Sequence, residues 1–167
     1  HGIYNDFLKN VSNYELDMDD VPHTYTFNND LIKGFATLDG TTWFSLWNPD
    51  VHKDNFKVDF YNSFKLSSLT FGTYMGAPDD KTDFDMYSAF KTSVFSGGIN
   101  AVDTAINYRY QKSERSIGKA IRTLIQKYGY SWEEFIVCTK GGYVPEDADE
   151  GYPGWILLQD LIEKSNG

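Results

Sequence analysis

The stretch "GGINAVDTAINYRYQKSERSIGKAI", Gly97 to Ile121, decides how this chain is read. It opens on paired glycines, runs through Ile99, Ala101, Val102 and Ala105, and sets Asp103 near the end of that apolar run. Apolar residues at adjacent positions, rather than alternate ones, suit a strand buried on both faces, as parallel sheets require. Tyr108 follows in the next loop. Ser113 then opens a helix in which Ile117, Ile121, Leu124, Ile125 and Tyr128 recur at the helical spacing until Gly129 stops it. The unit is strand, loop, helix, with an acid at the strand end and a phenol in the loop.

The same alternation extends to both sides. "SSLTFGTY", Ser67 to Tyr74, is a short apolar strand ending at Gly72, and Asp83 is placed to cap a helix carrying Phe84, Tyr87, Ala89, Phe90, Val94 and Phe95, ended by Gly97-Gly98. After Gly129, "SWEEF" supplies a Ser131 to Glu134 capping box, and "FIVCTKGGY" is a third buried strand ending at Lys140. Repeated βα units imply parallel strands joined by right-handed crossovers, hence a barrel or a doubly wound sheet. Ahead of them, "NFKVDFYNSFKL" alternates Phe56, Val58 and Phe60, turns at Asn62-Ser63 and resumes at Phe64 and Leu66, which predicts a hairpin. "FATLDGTTWFSLW" places Asp39-Gly40 between Thr- and aromatic-rich runs and predicts another, with a type I′ turn. Residues 1–30 are acidic, rich in Asn and Asp and without sustained period, and read as an extended arm. Ile156 to Ile162 is an apolar, helix-like segment.

In parallel βα architectures, functional side chains gather at the carboxyl ends of the strands, where the loops converge. Gly72-Thr73, Asp103-Thr104 and Thr139-Lys140 all fall there. Singly, each has a plain explanation: an Asp at a strand end forms caps and turns, a strand-end Lys is solvated, and a loop Tyr packs. Jointly they form a chemical set. A carboxylate holds an ammonium, and the ammonium draws the phenol's pKa from about 10 toward working pH, which an acid-base catalyst needs.

These residues carry a resemblance to the aldo-keto reductases. "LTFGTYMG" (Leu69 to Gly76), "GGINAVDTAINY" (Gly97 to Tyr108), "SERSIGKAI" (Ser113 to Ile121) and "FIVCTKGGY" (Phe135 to Tyr143) stand in that family's order and spacing, over about residues 56–144. The resemblance implies an α/β fold, the first three βα units of a partial (β/α)8 TIM barrel, with Phe56 to Leu66 as the hairpin closing its base. Residues 1–55 would be an arm and hairpin extension, and 56–167 the barrel part. It implies NADPH-dependent reduction of an aldehyde or ketone to an alcohol. Tyr108 would be the general acid, Lys140 the cation beside it, and Asp103 the carboxylate that pairs with Lys140 and approaches the nicotinamide ribose. Gly72 and Thr73 would contribute backbone and hydroxyl to the cofactor side, and Tyr74 an aromatic wall of the substrate pocket.

One departure qualifies this. The family's fourth catalytic residue is a His about thirty residues after the Lys, which falls beyond Gly167, while His1, His23 and His52 all precede the first barrel strand. The cofactor-holding groups of the later strands are also not among these residues, so this stretch is not expected to close a barrel or work alone. The alternatives are a non-catalytic relative resembling the potassium channel β subunits, with residues 1–55 as an interaction element, or a split subunit completed by a partner chain.

Composition narrows the partners. The 167 residues suffice for one core, and a net charge of -9 without a basic cluster disfavours nucleic acid or an anionic membrane. A small-molecule carbonyl substrate is favoured, with a protein partner for the N-terminal arm as the other expectation. The single Cys138 and the lack of a long apolar run fit a reducing, cytoplasmic setting. Cys138 reads as a small core residue, with a redox-sensing thiol at the pocket floor as the alternative. "DMDD", Asp17 to Asp20, lacks the glycine and terminal Glu of a calcium loop and reads as a solvated acidic run. "NVS" at Asn10 to Ser12 fits a glycosylation acceptor without a secretion signal to support it. "WFSLW" reads as an aromatic patch packed against the barrel or a partner.

Overall fold

The computed structural model describes residues 33–142, 145–149, 151, 159 and 162–165. The arm, "NVS", "DMDD", His1, His23, Tyr143 and most of the Ile156 to Ile162 segment lie outside the described residues.

The first element corrects an expectation. Thr37 is extended, its side chain accepts a hydrogen bond from Gly40 N at 2.9 Å, and it starts an α-helix, α1 (Leu38–Trp47), where a hairpin is predicted. The glycine that resembles a turn residue serves close packing. A Cβ at Gly40 would stand 2.3 Å from Glu133 O, so only a bare Cα lets α1 approach the 3-10 turn Trp132–Glu134. Thr37 N also donates to Glu133 O at 3.1 Å. Threonine and aromatics favour strands only weakly, and a satisfied cap with one buried ring overrides them. That ring is Phe44, which enters the core, while Trp43, Leu46 and Trp47 of the "WFSLW" patch stay exposed.

The second hairpin forms as predicted. β1 (Phe56–Val58) pairs antiparallel with β2 (Lys65–Ser67), Phe56 opposite Ser67. Its turn is organised by Asp59, whose carboxylate accepts from the backbone N–H groups of Tyr61, Ser63 and Phe64, with Asn62 left-handed at φ 55°. Those bonds, foremost Phe64's, hold the Asp59 carboxyl below its ordinary range. The buried Asn100 ties the hairpin to the rest of the fold. Its Oδ1 accepts from Ser67 N at 3.0 Å and its Nδ2 donates to Lys65 O at 2.9 Å.

Beyond the hairpin the chain builds a parallel α/β unit: β3 (Phe71–Gly72), α2 (Asp80–Phe95), β4 (Ala101–Asp103), α3 (Lys112–Tyr128) and β5 (Ile136–Cys138). The three strands lie in the order β3-β4-β5, with Gly72 opposite Asp103 and Asp103 opposite Cys138. Among the described residues, this sheet and the separate two-stranded hairpin do not close a barrel. The cap of α2 is Asp79, not Asp83: Asp79 is extended and accepts from Thr82 N at 2.7 Å, which moves Asp83 into the first turn. Ser113 lies within α3 instead of opening it, and its hydroxyl donates to Thr73 O at 2.8 Å. Gly129 ends α3 in the left-handed conformation. The Ser131 to Glu134 capping box is present, on the 3-10 turn.

The core joins these elements. Phe44, Phe56, Phe90, Val94, Val102, Ile117, Ile121, Leu124 and Phe135 form one buried cluster, with Phe90 meeting Phe71 edge-on at 5.4 Å between ring centroids. The cluster reaches Phe135 and goes no further along β5. Val137 and Cys138 lie beyond it and are exposed, so Cys138 is not the core residue its apolar neighbours suggest.

Candidate functional site

Parallel pairing places the ends of β3, β4 and β5 side by side, and the predicted site residues come together there. Asp103 ends β4 opposite Cys138, the last residue of β5, and Lys140 follows two residues further on. Lys140 Nζ donates to Asp103 Oδ1 at 2.8 Å, to Oδ2 at 2.9 Å, and to Thr104 O at 2.9 Å. Two backbone bonds continue the pairing past the strands: Thr104 N to Cys138 O at 2.8 Å and Ile106 N to Lys140 O at 3.4 Å. The lysine is thus fixed from its backbone as well as its tip.

Tyr108 completes the group. Lys140 Nζ lies 4.8 Å from the centroid of its ring, and Tyr74 also meets that ring, edge-on, at 5.0 Å. The ammonium is held above its ordinary value, first by the Asp103 hydrogen bond, with desolvation opposing and Tyr108 adding to the rise. Lys140 remains a cation throughout the neutral range. Asp103 and Lys140 are each about half exposed, 48% and 46%, so both are reachable from solvent.

Gly72 is exposed, with open space where a Cβ would stand. Thr73 is buried, and its hydroxyl donates to Asp103 O at 3.0 Å, which stitches β3 to β4. Its hydroxyl is committed internally, and the strand end offers backbone. Tyr74 and Met75 are exposed beside it. The site is therefore an open ledge: a bare glycine, a half-exposed carboxylate, a fixed ammonium and a phenol in contact with both the cation and a second ring.

Sequence reasoning missed the charged cluster behind this ledge. Arg109 turns inward, its side chain only 1% exposed, and pairs with Asp83 at 2.6 Å. Lys112 meets Asp83 at 3.0 Å and Asp149 at 2.7 Å, and Arg115 pairs with Asp147 at 2.6 Å and also with Asp149. Burial pushes the Lys112 ammonium down, but hydrogen bonds to Asp149 and Asp83 outweigh it and hold it above its ordinary range. The signal was available in the spacing. Arg109, Lys112 and Arg115 recur every three residues and are matched by acids at Asp79, Asp80 and Asp83 and at Asp147 and Asp149.

Parallel strands that bring an Asp, a Lys and a Tyr together at one rim define an α/β unit whose candidate site lies at the strand ends. The aldo/keto reductase family model matches residues 68–157, over half of the chain, and the chain belongs to that family of oxidoreductases, which typically use nicotinamide cofactors. No curated protein matches the chain. Among the described residues, no helix is long and apolar enough to cross a membrane and no cluster of metal-ligating side chains occurs.

Proposed function

We propose that this chain supplies the first strand ends of an NADPH-dependent site that reduces an aldehyde or ketone to an alcohol. The observation that carries the reading is Lys140, which holds Asp103 by both carboxylate oxygens while its ammonium lies against Tyr108. The geometry sets a fixed positive charge beside the group that would face a carbonyl oxygen.

The residues present fit the cofactor. Asp103 spends one acceptor direction of each oxygen on Lys140 and, being half exposed, keeps others for a ribose hydroxyl. Gly72 leaves room for a ligand to approach the backbone, which a side chain would fill. The chemistry the nicotinamide supplies is a hydride to the carbonyl carbon. Tyr108 Oη donates the proton to the carbonyl oxygen, Lys140 steadies the charge that develops on Tyr108, and Asp103 keeps Lys140 in place. Tyr74, exposed and against the Tyr108 ring, supplies an aromatic wall for the substrate's carbon skeleton.

The complete protein, given NADPH and a panel of aldehydes and ketones, is expected to oxidise the cofactor. Tyr108→Phe then lowers kcat by roughly 10²- to 10⁴-fold, the span of a lost general acid, with NADPH affinity nearly unchanged. NADPH binding without oxidation across the panel would replace this reading with a regulatory nicotinamide site. A wild-type rate in Tyr108→Phe would remove the role given to Tyr108.

A further inference from the structure

We infer that Arg109 is a positioning residue for Tyr108, holding the phenol against Lys140 and Tyr74 by clamping the β4 loop to the β3 loop. The inference rests on the reductase reading for its consequence and on geometry for its cause. Arg109, Tyr110 and Gln111 all have positive φ, at 50°, 53° and 75°, a left-handed run that residues other than glycine adopt only under constraint. The turn begins immediately after Tyr108, so whatever holds it fixes where the phenol's backbone lies.

The guanidinium is that hold. It donates to Ala77 O at 2.9 Å, to Asp79 O at 3.2 Å and to Asp83 Oδ1 at 2.6 Å, and it lies 3.8 Å from Met86 Sδ. Every one of these partners belongs to the segment that leaves β3 and becomes α2. Tyr74 is carried by the same segment, and its ring meets Tyr108 at 5.0 Å. One buried side chain therefore sets the spacing between the two loops whose rings touch at the site.

Asp83 extends the clamp to the segment that follows β5. Besides Arg109 it accepts from Lys112 Nζ at 3.0 Å and from the Ser116 hydroxyl at 3.2 Å, and Lys112 reaches Asp149 at 2.7 Å in the segment after Lys140. A planar fork suits this place better than an ammonium would, because three acceptors in different directions must be met from one buried point.

The test uses the complete protein with Arg109→Met and Arg109→Lys, each checked for fold by circular dichroism and thermal unfolding. In Arg109→Met, kcat is expected to fall about 100-fold, as for a reacting group displaced by about 1 Å, with carbonyl KM and NADPH Kd near wild type. Arg109→Lys, which keeps a charge for Asp83 but cannot fork, recovers part of the rate. In protein carrying ring-labelled tyrosine, the Tyr108 NMR resonance, assigned by its loss in Tyr108→Phe, should move toward that of an exposed tyrosine in Arg109→Met. A folded Arg109→Met with wild-type kcat, or with an unmoved Tyr108 resonance, overturns the inference; a lowered melting point alone would leave Arg109 a purely structural residue and also overturns it. If Arg109→Met does not fold, Arg109→Lys decides by the same readings. Should the wild type show no carbonyl reduction at all, the reductase reading fails, and the Tyr108 resonance still decides the positioning: a shift supports it and a fixed signal ends it.

Discussion

Lys140 Nζ stands 2.8 and 2.9 Å from the two carboxylate oxygens of Asp103, across the step between adjacent parallel strands. The pair is half exposed on both sides, which decides how it should be valued. Exposed ion pairs contribute little to folding, so its worth lies in placing a cation beside Tyr108.

Lys140→Met is accordingly expected to separate activity from stability. The rate of carbonyl reduction should fall roughly 10²- to 10⁴-fold, while the unfolding temperature barely moves. Because the Lys140 value is raised in the folded protein, the pair's small stability contribution is fully present below the ordinary 10.5 and is lost as pH rises through the higher folded value. Parallel kinetics and thermal melts of Lys140→Met check this; a large loss of stability would show the pair to be structural.

Gly40→Ala should destabilise the protein by about 1–3 kcal/mol although it improves helix propensity. The new Cβ would meet Glu133 O at 2.3 Å, and a backbone atom in a capped turn cannot move aside as a flexible side chain would. Denaturant melts of the variant give the answer. A stabilised Gly40→Ala would mean that α1 can slide off the 3-10 turn without cost.

These cases show which parts of the protein were legible in its sequence. The meeting of Asp103, Tyr108 and Lys140 was, because a strand end is marked by the shift from an apolar run to a polar residue, and parallel pairing then brings neighbouring strand ends together. α1 was not: the role of Gly40 depends on Glu133, a contact far along the chain, and locally Asp39-Gly40 is indistinguishable from a tight turn. The cap of α2 was misread for a smaller reason, since Asp79 and Asp83 are both good caps and only the extended backbone of Asp79 chooses between them. Arg109 lay hidden because a charged residue in a polar loop reads as solvated until its acceptors are known.

Asn100→Ala should cost roughly 3 kcal/mol, the upper end for stranding buried backbone groups. It removes the acceptor of Ser67 N and the donor to Lys65 O at a site with no exposure. Asn100→Asp keeps the acceptor but sets a buried charge against Lys65 O, so it should be no better. Equilibrium unfolding of the two variants tests the hairpin's tie to β4, and a loss under about 1 kcal/mol in Asn100→Ala would show that water replaces the amide.

Glu134 gives a pH dependence of the opposite sign to the usual carboxylate. Burial raises its value in the folded protein, the Ser131 N–H at 2.8 Å opposes this, and the neighbouring Glu133 charge adds to the rise. The folded state therefore binds the proton more tightly than the unfolded one, and stability falls as pH climbs from the ordinary 4.5 through the folded value. Glu134→Gln keeps an oxygen to accept from Ser131 N and removes a partly buried charge. It should be more stable than the wild type at neutral pH, with the difference fading below 4.5, where the glutamate is itself neutral. Thermal melts of both proteins across that range decide the matter: parallel curves would mean that Glu134 is solvated in solution and carries no such cost.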